Sequence, residues 1–433
     1  MSKFNRVSRA GVLLLAFGLA GATAACDKLL TVDNPATFGD QDLNDPLLAS
    51  QLVNGVLVRF EQMYDDLAIH SAVITDEATT GHNFEQWQLD DLRQEDKVNA
   101  TTAGEVYNQL QRTRAAADSF EARTVRILAD SASRNLGLAR IQAYGALTYA
   151  IMGEFMCATP IDPEQGAVSS DSLLKIAVSR AASAVATATA YKASTGAVAA
   201  RADSMINLAR VSAARALLDL GLKSEAAAMA ALVPTTFEAR VFYDDLNQNN
   251  AFLGATSGAN RHLGVDVAFR GLNDPRVRHS ATASTGHDQQ TLLYTPGLAP
   301  SFGGWSPTNT GPQAFTRSTS IRISSGLEAQ YIKAEAEGLT PANVTFLNTR
   351  RAVGGQAAVT PATNDEFLTL LRDQRRRDFF LDGHRLGDLR RYIRLYSLNF
   401  FPTGVRNSPR GGTYGSSVCY VPSIAEEVAN PAY

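Results

Sequence analysis

The sequence has none of the short motifs around which common catalytic sites are built. It has no Gly-x-Ser-x-Gly elbow, no P-loop, no Gly-x-Gly-x-x-Gly turn and no His-Glu-x-x-His helix. Histidine is sparse, with 6 in 433 residues, and the nearest pair considered for metal, His279 and His287, lacks helical ligand spacing. Lys plus Arg (40) do not exceed Asp plus Glu (43), so the net charge of −3 provides no basic footprint for nucleic acid. After the first 26 residues no stretch is expected to reach the length of a transmembrane helix. No cofactor is implied, and catalysis is not expected. What is present suffices for folding: 45% hydrophobic and 19% charged residues exclude a wholly disordered chain. The length is roughly two to three ordinary domains, or one large repetitive architecture.

The N-terminus carries the clearest local signal. Lys3, Arg6 and Arg9 precede an apolar run from Gly11 to Gly21 and the small residues Thr23, Ala24 and Ala25. That run is too short to span a hydrocarbon core of ~30 Å, so residues 1–25 are expected to be a cleaved export signal. Thr23-Ala24-Ala25-Cys26 resembles a bacterial lipobox, with Thr where Leu is usual, which would make Cys26 the lipidation site and a membrane-face anchor. Plain cleavage with an incidental cysteine is the alternative. Residues 26–43 fit a tether. In an oxidising compartment Cys157 and Cys419 could pair, or Cys157 could be a buried small hydrophobe and Cys419 a thiol.

Helical periodicity fills residues 44–234. Stretches from Pro46 to Ile69, Thr102 to Asp130, Leu136 to Met152 (stopping at Gly153), Ser172 to Tyr191, Ala199 to Leu220 and Ser224 to Val233 read as helices. Gly221 suits a C′ position. Brief turns and Ala-rich faces suggest close-packed pairs, stacked as in tetratricopeptide solenoids, without a strict repeat period. Residues 235–325 break this pattern with Gly, Ser, Thr and Asn, and read as turns and hairpins forming an irregular insert. Its aromatics Tyr294, Phe302, Trp305 and Phe315 argue for local packing. A partial calcium-loop pattern at Asp245, Asn247 and Asn249 has Asn250 for the turn glycine and Thr256 for the twelfth-position Glu, and reads as an Asn-rich turn. Helices resume at Gly326, restart at Thr340-Pro341 (an N-cap followed by an N1 proline), run from a cap at Asn364 to Leu381, and end with His384 to Tyr396.

The densest motif is Arg375-Arg376-Arg377-Asp378-Phe379-Phe380-Leu381-Asp382-Gly383-His384-Arg385-Leu386-Gly387-Asp388-Leu389-Arg390-Arg391. It resembles the C-terminal signature of SusD/RagB-type outer-membrane lipoproteins: an Arg-rich helix, Glu-Gly-His-Arg, then Asp-Leu-Arg-Arg, with Asp382 here where Glu is usual. Other elements of similar kind occur in order. They are Gly153-Glu154-Phe155, Asp274-Pro275-Arg276, Ile321-Arg322, the helix with Tyr331, Glu335 and Ala336, the segment Leu347 to Ala352, and Val421-Pro422 to Pro431. Physically, the Arg/Asp motif reads mainly as an ion-paired helix junction, the alternative being Arg385 as a ligand contact.

The fold class expected is mainly α: a tetratricopeptide-like helical-pair solenoid (44–234 and 326–396) with a large irregular loop and β-hairpin insert (235–325), in one SusD-like domain over 44–433. Binding is expected in the polar excursions. Asp76, Glu77, Asn83 and Trp87 (with Gln88) form one group, and Tyr294 and Trp305 the other. Sugars lay C–H faces on rings while carboxylates and amides take hydroxyl groups. The resemblance implies ligand contacts by an Asp near the Asp76-Glu77 segment and by downstream aromatics; simple packing under loops is the other reading for both tryptophans. It also implies a surface-exposed, outer-membrane, lipid-anchored protein that takes oligosaccharide to a SusC/RagA-type TonB-dependent transporter, with oligopeptide as the alternative cargo. A helical scaffold for protein partners is the competing class. A hydrolase is disfavoured, because adjacent Asp76 and Glu77 on a strand would face opposite ways.

Overall fold

Alanine sets the architecture. In the computed structural model, α4 (Leu136–Phe155) buries Ala139, Ala143, Ala146 and Ala150, and α5 (Ser170–Thr195) buries Ala177, Ala181, Ala184 and Ala188. The 4-3-4 spacing places each set on one stripe. α6 (Ala199–Asp219) adds Ala202, Ala209, Ala213 and Ala216. Small side chains let these backbones approach, and α4, α5 and α6 make the most extensive helix contacts in the molecule. The structure describes residues 44–94, 101–162, 166–195, 199–246, 248–257, 262–279, 284–285, 292–293, 298–308, 314–408, 410–422, 424–430 and 432. Cys26, the tether over 26–43 and Tyr294 lie outside them. The chain divides at Leu48, and Ala49–Tyr433 forms the larger unit, to which all that follows refers.

The helices before α4 are α1 (Ala49–Ile74), α2 (Glu85–Asp91) and α3 (Thr101–Leu128); α7 (Lys223–Ala231) follows α6. Consecutive members from α3 to α7 pack side by side, α1 lies on both α3 and α4, and α7 hands over to α9 (Gly326–Glu337). The mainly helical, paired architecture therefore stands. α4 runs two residues past Gly153, because that glycine is a contact point and not a stop: a Cβ there would lie 2.6 Å from Leu174 Cγ of α5. Gly221 has φ +79°, as a helix-terminating C′ residue requires. By length and composition α5 could cross a membrane, contrary to the sequence expectation, but its alanine stripe is packed against α4 and α6.

The remaining helices are α8 (Ala251–Thr256), α10 (Pro341–Val353), α11 (Asn364–Asp378), α12 (Arg385–Tyr396) and α13 (Ile424–Ala429). Thr340 caps α10 by accepting from Asn343 N, ahead of the N1 proline. The cap of α11 is Thr363, one residue before the position read from sequence; Asn364 instead accepts from Leu339 N. α11 ends at Asp378, short of the Leu381 read from sequence, because Phe379 leaves helical geometry at φ −116°, ψ 23°, and Leu381 then takes a left-handed backbone, φ +63°.

Among the described residues short strands form four two-stranded antiparallel ladders: β1 (Ala78–Thr80) with β5 (Leu263–Val265), β2 (Ala158–Thr159) with β3 (Val168–Ser169), β4 (Glu238–Val241) with β8 (Ile321–Ser325), and β6 (Ser284–Thr285) with β7 (Leu292–Leu293). The insert thus has ladders and turns, as its composition predicts, plus the short α8. Asn250 of the Asn-rich turn caps α8, and Phe252, Phe302 and Phe315 pack ring to ring with centroids 4.9–5.2 Å apart.

The Arg/Asp motif is a buried junction. Arg375 bonds Asp388 at 2.8 and 3.0 Å, and Arg391 reaches Asp388, Glu335 and Asp219 at 2.8–3.0 Å. Asp378 receives Arg350 twice, Arg276 and the Tyr331 hydroxyl. Burial alone would raise the Asp378 carboxyl, but the bonds and charge of Arg350 and Arg276 hold it below its usual range. Such networks fix which helix meets which more than they add net stability.

Candidate functional site

β1 leads into the loop Gly81-His82-Asn83-Phe84, and α2 follows at once with Trp87 and Gln88. The β1–β5 register (Thr80 opposite Leu263) places His262, just before β5, across from that loop, where its carbonyl accepts from Gly81 N at 2.6 Å. The result is a ring cluster. His82 lies 4.3 Å from Phe84 and 5.0 Å from His262, and Trp87 lies 4.8 Å from His262 and 6.4 Å from His82, centroid to centroid. Phe84 is 54% exposed, Asn83 is exposed, and His82 and Trp87 are half-buried.

The inner side of the cluster is anchored in α1. Trp87 stacks on His70 with centroids 4.8 Å apart and planes 3° from parallel. His70 Nδ1 donates to Asp90 at 3.0 Å, and Asp90 also accepts the Tyr420 hydroxyl at 2.7 Å. Burial disfavours the His70 cation, but the Asp90 bond and charge outweigh it, so its pKa is raised. The Gln88 amide is spent on the loop, donating to His82 O at 2.5 Å and accepting from Arg406 at 2.7 Å. Arg406 also bonds Asp91, which accepts Thr80 N and the Thr79 hydroxyl as well, so β1 and α2 are tied together. Burial pushes Asp91 up to about 6 against the pull of Arg406.

The carboxylates named from sequence face inward. Asp76 and Glu77 lie in the turn between α1 and β1, not on a strand, and both are buried. Arg385 closes on Asp76 through two 2.7 Å bonds, which gives this arginine its place in the junction. Glu77 accepts from Leu381 N at 3.1 Å, and burial drives its carboxyl well above the usual range against the opposing charge of Arg385. Trp305 is half-buried in the insert and donates from Nε1 to Pro275 O at 3.1 Å. Among the described residues no ring contact joins it to Trp87. Asn83 and Trp87 are thus brought together, whereas Asp76 and Glu77 support the turn behind them. His82, Phe84 and His262 were not singled out from sequence. Phe84 and His82 stood within five residues of Trp87, but His262 is remote in sequence and only the β1–β5 pairing reveals it. No group of three or more His, Cys, Asp or Glu suited to a metal occurs among the described residues.

The rings thus form a partly exposed surface seated on α1. No protein-family model and no curated protein matches the sequence. Solved structures do match over most of the chain. A SusD superfamily protein from Parabacteroides distasonis aligns with a TM-score of 0.62 at 14% identity, covering 89% of this chain and 97% of that one. A SusD-like protein from Bacteroides fragilis gives 0.60 at 13%, covering 91% and 97%. The surface glycan-binding protein A from Bacteroides uniformis gives 0.60 at 13%, covering 88% and 98%. The fold is that of the SusD/RagB superfamily.

Proposed function

We propose that this chain captures oligosaccharides at a bacterial cell surface and holds them, chemically unaltered, on the ring cluster of Phe84, His82, Trp87 and His262. The carrying observation is the β1–β5 pairing, which assembles those rings beside the exposed amide of Asn83. Rings offer flat apolar faces to sugar C–H groups, and the amide offers a donor and an acceptor to hydroxyls. Trp305 in the insert is the candidate second contact. Asp76 and Glu77 hold the turn that carries the platform.

The fold it shares with a surface glycan-binding protein supports this reading. Anchoring through Cys26 after export, and delivery of cargo to a SusC/RagA-type TonB-dependent transporter in the outer membrane, complete it. The test is calorimetry against a glycan panel and a peptide mixture, with chromatography of the ligand afterwards. Saturable glycan binding with intact ligand, weakened in Phe84→Ala, is expected. Preference for peptides would replace the sugar cargo with oligopeptide, and released products would make the chain an enzyme.

A further inference from the structure

α11 and α12 enclose a second cleft, of about 320 Å³, that contains none of the ring-cluster residues. One wall is the i, i+3, i+4, i+7 face of α11: Thr369, Arg372, Asp373 and Arg376. The other is Arg385 and Tyr392 of α12, with Phe400 and Asp76 at the ends.

The arginines around this cleft are not equivalent. Arg376 is held by Asp373 at 2.9–3.0 Å, Arg385 by Asp76, Arg375 by Asp388, and Arg377 by Asp274 and Asp373. Arg372 has no carboxylate and no hydrogen-bond acceptor among the described residues. Its residue exposure is 8%, and its Nε is buried without a partner. The guanidinium instead lies over Tyr396 and Tyr392, 4.2 and 5.1 Å from their ring centroids. The Tyr392 hydroxyl is likewise buried without a partner. Burying the Nε donor without an acceptor is expensive, whereas a carboxylate matches an arginine fork with two parallel bonds. The two tyrosine rings hold the fork in place before any ligand arrives.

We infer that this cleft is a binding site for a carboxylate on a ring-sized body, seated on Arg372 with the Tyr392 hydroxyl as a further donor. The exposed ring of Phe400 flanks the space for the body, and the volume suits a single such unit. The same chemistry comes from a uronic-acid residue of a glycan or from the C-terminal residue of a peptide. The site does not depend on the ring-cluster proposal.

The experiment is calorimetric titration of the full chain with sodium glucuronate and with N-acetyl-phenylalanine. Glucose and N-acetyl-phenylalanine amide serve as neutral counterparts. At least one acid should bind saturably while its neutral counterpart does not, and the one that binds identifies the source. Arg372→Gln should weaken it about tenfold or more, and Arg372→Lys, which keeps the charge and loses the fork, by less. Thr369→Trp, an exposed rim position that would fill the cleft, should block it without touching the junction, and decides the matter if Arg372→Gln fails to fold. The proposal is overturned if neither acid binds, if a neutral counterpart binds equally, or if a folded Arg372→Gln and Thr369→Trp both bind as well as the parent chain.

Discussion

Arg385 and Asp76, 309 residues apart in sequence, meet through two 2.7 Å hydrogen bonds and join the start of α12 to the turn that launches β1. That contact ties the Arg/Asp junction to the strand carrying the ring cluster. Removing the arginine would leave Asp76 buried without its counter-ion. Arg385→Gln should therefore cost about 3–5 kcal/mol in urea unfolding and also weaken glycan binding indirectly, through a loosened β1. Retained stability in that variant would show the pair to be dispensable.

Phe84→Ala removes an exposed ring and should leave the unfolding midpoint nearly unchanged. Glycan affinity should fall by about 0.5–1.5 kcal/mol, a several-fold effect. Trp87→Ala combines lost stacking on His70 with lost contact, so it should lower both affinity and stability. Affinity electrophoresis beside thermal unfolding separates the two.

Cys157 and Cys419, left open by the sequence, form a disulfide with their Cα atoms 5.2 Å apart, across a sequence separation of 262. Reduction, or the paired Ser variant, should lower stability by about 2–5 kcal/mol. Urea midpoints with and without reductant measure this.

Asp65 carries the clearest pH dependence. Burial, with the nearby Asp66 charge, raises its carboxyl from 3.8 to about 8, while backbone donors such as Ala251 N at 2.7 Å only partly offset this. The folded value exceeds the unfolded one, so its stabilising contribution is full below pH 3.8 and is lost as pH rises to about 8. Asp91 and Asp266, raised to about 6 and about 7, act with the same sign. Unfolding free energy from these groups should fall between pH 5 and pH 8 by about 1.4 kcal/mol per unit for each group while it titrates, and Asp65→Asn should flatten the slope. A profile unchanged by the substitution would remove this assignment.

Local rules made the helices legible. Alanine stripes at 4-3-4 spacing, the Thr340-Pro341 start and Gly221 as a terminator need only neighbours in sequence. The ring cluster was half visible, because Trp87 and Asn83 sit together, while His262 arrives through a three-residue ladder that no periodicity announces. The inward turn of Asp76 and Glu77 was equally hidden, since their partners, Arg385 and Leu381 N, lie in the C-terminal motif. Composition tells which charges exist, but only tertiary pairing tells which are already satisfied.

Tyr420, next to Cys419, links the last part of the chain to the first. Its hydroxyl bonds Asp90, which orients His70 under Trp87, and its backbone joins Phe155 and Cys157 at 2.8 and 2.9 Å. The indole face therefore rests on a support 333 positions away in sequence, and loss of Tyr420 would unseat His70 beneath Trp87.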